Sequence, residues 1–109
     1  MRNAIRACVL GLAMVTPAAV AQVDEAAATA LLKQSKCLSC HSIDKKKDGP
    51  SYREVAAKYK GKADAEAILT KHVTEPSMVE IDGEEEEHGA VKTRDKAKIK
   101  NLVDWILSL

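Results

Sequence analysis

Five consecutive residues, Cys37-Leu38-Ser39-Cys40-His41, constrain this chain more than any other stretch. Two thiols three residues apart, followed directly by a histidine, form the pattern of covalent c-type haem attachment. The thiols add across the two vinyl groups on one porphyrin edge, and that edge sets their separation at about one helical turn. The histidine must follow at once for its imidazole to reach the iron from the same side. A bare CxxC also serves as a redox disulfide or as half of a zinc site. The appended His41, the lack of a second Cys pair and an export signal count against both.

The export signal occupies residues 1–21. Arg2 and Arg6 make a short basic region, and Ala7 to Val15 is an apolar run too short to span a bilayer. Pro17 interrupts any helix, and Ala19-Val20-Ala21 is a small-x-small cleavage signature before Gln22. The segment reads as a cleaved secretory signal peptide, with an N-terminal membrane anchor as the alternative. Cys8 follows Ile5-Arg6-Ala7, a poor lipoprotein signal, and is expected to leave with the peptide. Residues 22–109 then form a single monohaem domain, expected in the periplasm, with no membrane span in the mature chain and as a monomer.

That domain has no Phe, one Trp (Trp105) and two Tyr (Tyr52 and Tyr59). So few aromatics make a poor core for a domain this small. A buried porphyrin removes the difficulty, because it is itself a large apolar body around which short helices pack. Loss of Arg2 and Arg6 takes 17 basic residues to 15 against 16 acidic ones, a net charge of −1. The charge is segregated: Lys45-Lys46-Lys47, with Lys58, Lys60 and Lys62, stand against the unbroken run Glu84 to Glu87. Each run is either solvated surface or a face that steers a redox partner. Lysines without interleaved aromatics, on a chain that is not basic, exclude nucleic acid as a partner.

The fold class expected is all-α, about four short helices around one haem. Asp24 caps an alanine-rich helix running to about Lys36, with Leu31 and Leu32 as its apolar contacts. Asp48-Gly49-Pro50 is a turn, and Ser51 caps a helix from Tyr52 to Tyr59 that stops at Gly61. A third helix spans about Asp64 to Val73, with Ile68 and Leu69 inward, and Pro76 ends it. Ser77 to Thr93 reads as irregular, with no strand-like alternation. The last helix, about Arg94 to Leu109, sets Ile99, Leu102, Val103 and Ile106 in one apolar stripe.

With these segments in place, residues 24–109 resemble the class I bacterial cytochromes c of the small c-551 type. The likeness is carried by Cys37–His41, by Asp48-Gly49-Pro50-Ser51-Tyr52, by Val55-Ala56-Ala57-Lys58-Tyr59-Lys60-Gly61 and by Asn101-Leu102-Val103-Asp104-Trp105-Ile106-Leu107. It implies N- and C-terminal helices crossing over the haem edge, with Trp105 and Leu102 packed on the first helix. It also implies that His41 is the proximal ligand and that the Pro50 carbonyl accepts the other ring N–H of His41, fixing tautomer and basicity.

The sixth ligand is where the sequence departs from that family. A Met is usual in the loop before the last helix, where this chain has Glu86-Glu87-His88-Gly89-Ala90. Met78 is the one methionine after the signal segment. His88 lies 17 residues before Trp105 and 47 after His41, close to the family's spacings for its Met, whereas Met78 comes ten residues earlier. His88 is therefore the expected distal ligand and Met78 the alternative. His72, on a helix, is read as a surface imidazole.

A six-coordinate haem has no vacant site for substrate, and no second catalytic group is visible. The chain reads as a carrier cycling Fe(II)/Fe(III) between periplasmic redox proteins, not as an enzyme. A haem protein whose labile or open distal site binds gas or small ligands is the alternative, and a haem-free thiol oxidoreductase the third reading.

Overall fold

The computed structural model describes residues 11–15 and 22–109. Of the signal segment, residues 11–15 are exposed and without regular secondary structure, and the rest, including the Ala19–Ala21 cleavage signature, lies outside the described residues.

Four helices form where the apolar pattern and caps place them: α1 (Glu25–Gln34), α2 (Tyr52–Tyr59), α3 (Ala65–Thr74) and α4 (Lys96–Ser108). Each start has a physical cause. The Asp24 carboxylate accepts from the Ala27 amide, and Asp95 accepts from Ala97 and Lys98. Ser51 and Glu54 close a full capping box on α2, each side chain bonded to the other's backbone amide. Helix α1 stops two residues short of Lys36, which takes a left-handed conformation (φ 58°) and turns the chain into a single 3-10 turn, Cys37–Ser39.

The core is the stripe of α4 packed on α1, α2 and α3. Leu102 and Val103 are fully enclosed, and Ala28, Leu31, Leu32, Leu69, Trp105 and Ile106 close around them. Asn101 fastens the two terminal helices: its carboxamide accepts from the Asp24 amide and donates to the Asp24 carbonyl, both at 2.8 Å. Lys60 Nζ donates to the Leu109 carbonyl and ties α2 to the chain end. Among the described residues no helix is long and apolar enough to cross a membrane.

The region from Ser77 to Thr93 is not irregular throughout, as the sequence suggested. β1 (Ser77–Ile81) and β2 (Glu84–His88) pair antiparallel, with Ser77 opposite His88, Val79 opposite Glu86 and Ile81 opposite Glu84. The connection is the two-residue turn Asp82-Gly83, both at positive φ (51° and 82°), the backbone that a right-twisted hairpin requires. Strand β2 is almost pure glutamate, among the residues depleted in strands, so propensity argued against it. Turn chemistry and packing outweigh propensity here.

Candidate haem site

Helix α1 delivers Cys37 and Cys40 at its C-terminal side, and the 3-10 turn presents both thiols, half-buried and unbridged, toward one cavity. The turn is held from both sides. The His41 amide donates to the Cys37 carbonyl, the Gly49 amide to Cys40 and Lys47 Nζ to Leu38. Part of the Lys45–Lys47 run is thus a brace for the motif. Burial pushes the Cys37 thiol up, leaving it protonated at neutral pH. Reactive CxxC thiols are depressed instead, typically at a helix N-terminus. Cys37 follows a helix C-terminus, which disfavours the thiol oxidoreductase reading.

His41 is fixed on three sides. Its Nδ1 lies 2.7 Å from the Pro50 carbonyl, which assigns the proton to Nδ1 and leaves Nε2 as a lone-pair donor. The Tyr52 ring stacks on it at 5.1 Å and 25°, and Trp105 meets Tyr52 edge-on at 6.0 Å. Burial pushes the Tyr52 phenol up, so it stays neutral. Gly49 closes the third side: a Cβ there would lie 2.6 Å from His41 Cε1. Gly49 is needed for room, not merely for a turn. Gly49→Ala should cost about 1–3 kcal/mol by overpacking and displace His41, read as a lower thermal midpoint and a perturbed haem spectrum. An unchanged melt and spectrum would contradict this contact.

The cavity measures about 720 Å³, within the roughly 300–1,000 Å³ of small-molecule and cofactor clefts. Leu32, Val55, Ile68, Leu69, Val91 and Ile106 supply apolar walls. Leu69 is buried as the pattern implied, while Ile68 stays 38% exposed at the cavity wall.

The hairpin brings His88 to the side opposite His41. Residues paired across an antiparallel ladder share a face and successive residues alternate. Ser77, Val79, Ile81, Glu84, Glu86 and His88 therefore share one face, and Met78, Glu80, Glu85 and Glu87 the other. Val79, Ile81, Glu86 and His88 of the first face line the cavity, as do Glu80 and Glu87 of the second, whereas Met78 does not and is 59% exposed. The His41 and His88 ring centroids stand 6.1 Å apart with planes at 72°. Imidazole nitrogens bind metals at about 2.0–2.1 Å, so one metal ion fits between the two rings. His88 Nδ1 is buried with no partner in hydrogen-bond geometry.

His72 is exposed on its helix, as the sequence suggested, but it is not isolated there. It lines the cavity, and its ring centroid lies 4.0 Å from that of His88. It sits three residues after buried Leu69 on α3, so the helical period places it beside that leucine, at the open side of the cavity. Burial, then the neighbouring imidazoles, lower the basicity of both His88 and His72. Both rings are neutral at pH 7, the form that binds metal. Two paired thiols, an oriented imidazole, an apolar cleft of this volume and a second neutral imidazole across it fit a haem.

The cytochrome c family model matches residues 25–109. The chain belongs to the cytochrome c family. Its cofactor is one covalently bound haem c, with Cys37 and Cys40 in the attachment positions. Cytochrome c-551 of Stutzerimonas stutzeri is 38% identical over 100 residues, 92% of this chain and 89% of that protein. Cytochrome c-551 of Pseudomonas aeruginosa aligns over a shorter stretch, 46% identical over 48 residues, 44% of this chain and 46% of that protein. The class 1 cytochrome MtoD of Sideroxydans lithotrophicus ES-1 superposes with a TM-score of 0.75 at 53% identity, over 80% of this cytochrome and 97% of that chain. This cytochrome therefore has the class I fold, four helices with an added two-stranded sheet, and is a haem-based electron carrier rather than an enzyme.

Proposed function

We propose that this cytochrome is a periplasmic carrier whose iron is held between two imidazoles, His41 and His88, and cycles between Fe(II) and Fe(III). The bound haem supplies a one-electron couple, and the rest of the site keeps that couple reversible. Cys37 and Cys40 tether the porphyrin edge. The Pro50 carbonyl and the Tyr52 ring hold His41 in one tautomer and orientation, so that little rearranges on electron transfer. Leu32, Leu69 and Ile106 exclude water from one side.

The observation that carries the reading is the hairpin register. It turns His88 toward the cavity and Met78 away from it. A second imidazole in place of a thioether favours the ferric state and lowers the potential. Glu84 to Glu87 on the strand that bears His88 push the same way, within the limit set by salt screening. The segment 1–21 supports export, since its basic, apolar and small-residue regions follow the order of a signal peptide.

Spectroelectrochemistry of the holoprotein tests the carrier function. The expected result is a reversible one-electron couple, with the reduced protein showing negligible carbon monoxide binding on the timescale of reoxidation. Rapid, complete carbon monoxide binding would favour a ligand-binding haem protein. The mass of the exported holoprotein should correspond to a start at Gln22 or Val23, and retention of Met1 would point to a tethered carrier.

A further inference from the structure

The two histidines that face each other across the cavity are held in different ways. His41 has the usual second contact of a metal-binding imidazole, its far ring nitrogen on a backbone carbonyl at 2.7 Å. His88 Nδ1, although buried, has no partner in hydrogen-bond geometry. His88 is also the last residue of a strand whose other members are all glutamate, with Gly89 next. Within its own segment only the backbone of His88 and Gly89 lies near the ring, and neither meets Nδ1 in hydrogen-bond geometry.

What does lie against it is another ring. His72, from the last turn of α3, is at 4.0 Å centroid to centroid with an interplanar tilt of 39°. Two ring nitrogens joined edge to edge by a hydrogen bond would hold the centroids farther apart than this, so the contact is a stack and not a hydrogen bond. Helix α3 is itself fixed to the core through Leu69, and the Val91 amide, three residues beyond His88, donates to the Val73 carbonyl beside His72. The chain is therefore clamped to α3 next to the stack.

We propose that His72 is a positioning residue for the distal imidazole: its ring, stacked on His88, supplies by packing the orientation that Pro50 supplies to His41 by a hydrogen bond. This rests on the reading of His88 as the distal ligand. The distal bond is then the weaker of the two. His88 Nδ1 has no well-formed hydrogen bond of the kind that Pro50 gives His41, and the His72 ring against it restricts its swing.

The test compares His72→Ala, His72→Phe and His88→Ala holoproteins by electron paramagnetic resonance of the ferric form, carbon monoxide association to the ferrous form and thermal melting. His72→Ala should stay predominantly low-spin but show shifted and broadened g-values, with carbon monoxide binding faster by about 10–100-fold, the range for loss of an outer contact to a ligand. His72→Phe, which restores a flat ring, should bring both readouts back toward wild type. A merely structural residue would lower the melting midpoint and leave g-values and carbon monoxide rate alone, and that result would overturn the proposal. So would His72→Phe behaving like His72→Ala, because the role would then belong to a nitrogen and not to the stack. His88→Ala separates the two levels. If it opens the iron while His72→Ala is silent, the ligand reading stands and the positioning role falls. If it leaves the ferric spectrum unchanged, the ligand reading falls and the positioning role with it.

Discussion

Replacing Cys37 and Cys40 together with alanine abolishes covalent haem and leaves a chain with no cooperative unfolding transition. The residues that line the cavity include Leu32, Tyr52, Val55, Leu69, Leu102 and Ile106, a large share of the apolar side chains in the domain. Without a porphyrin they face a space of about 720 Å³ that must fill with water or collapse. Either outcome weakens the packing of α2 and α3 around the cavity. Deleting a single large buried side chain costs about 2–5 kcal/mol, and several are affected at once. The loss is comparable to the roughly 5–15 kcal/mol by which a domain is stable. Acid-solvent extraction should remove all haem from the double variant, and circular dichroism should show no sigmoidal melt. A well-folded, colourless double variant would sink the haem reading altogether. Either single substitution leaves one thioether and is expected to give reduced yields of partly stable holoprotein.

The second large effect concerns the ligand opposite His41. His88→Met should raise the potential by on the order of 0.1 V, a fraction of the roughly 0.8 V that axial ligation spans. His88→Ala should yield a partly high-spin ferric haem that binds carbon monoxide readily once reduced. Met78→Leu should leave spectrum and potential almost unchanged. The contrast follows from strand geometry. Met78 pairs with Glu87 on the outer face of the hairpin, while His88 pairs with Ser77 on the inner face. His88 lines the cavity, whereas Met78 does not and is 59% exposed. Should Met78→Leu instead produce high-spin haem, the hairpin in the holoprotein presents its other face, and His88 becomes part of an acidic surface.

Much of this architecture is legible in the sequence because its causes are local. Asp24 and Ser51 cap the helices that follow them. The i, i+3, i+4, i+7 stripe of α4 is buried as a stripe, and Asn101 ties α4 to the start of α1. The residues missed owe their positions to distant partners. His72 meets His88 across 16 residues of sequence, although its i+3 spacing from Leu69 is a signal that it stands on the cavity side of α3. In the sequence Gly49 reads only as part of a turn, yet its role is to make room for the His41 ring, a contact that no turn pattern encodes. The hairpin was hidden by four glutamates of low strand propensity, while the informative pair was Asp82-Gly83, flanked by the alternating Val79 and Ile81. Glu80 and Glu85 stand directly opposite each other, a like-charge pairing that disfavours the hairpin unless turn and packing prevail.

Near-infrared magnetic circular dichroism of the oxidised holoprotein tests the central claim most directly, because the ligand-to-iron charge-transfer band reports the chemical identity of both axial ligands. The expected spectrum is that of low-spin ferric haem between two imidazoles. The same sample should lack the red-edge absorption band of methionine–iron coordination. A band at the imidazole–thioether position, lost in Met78→Leu and retained in His88→Ala, would contradict it.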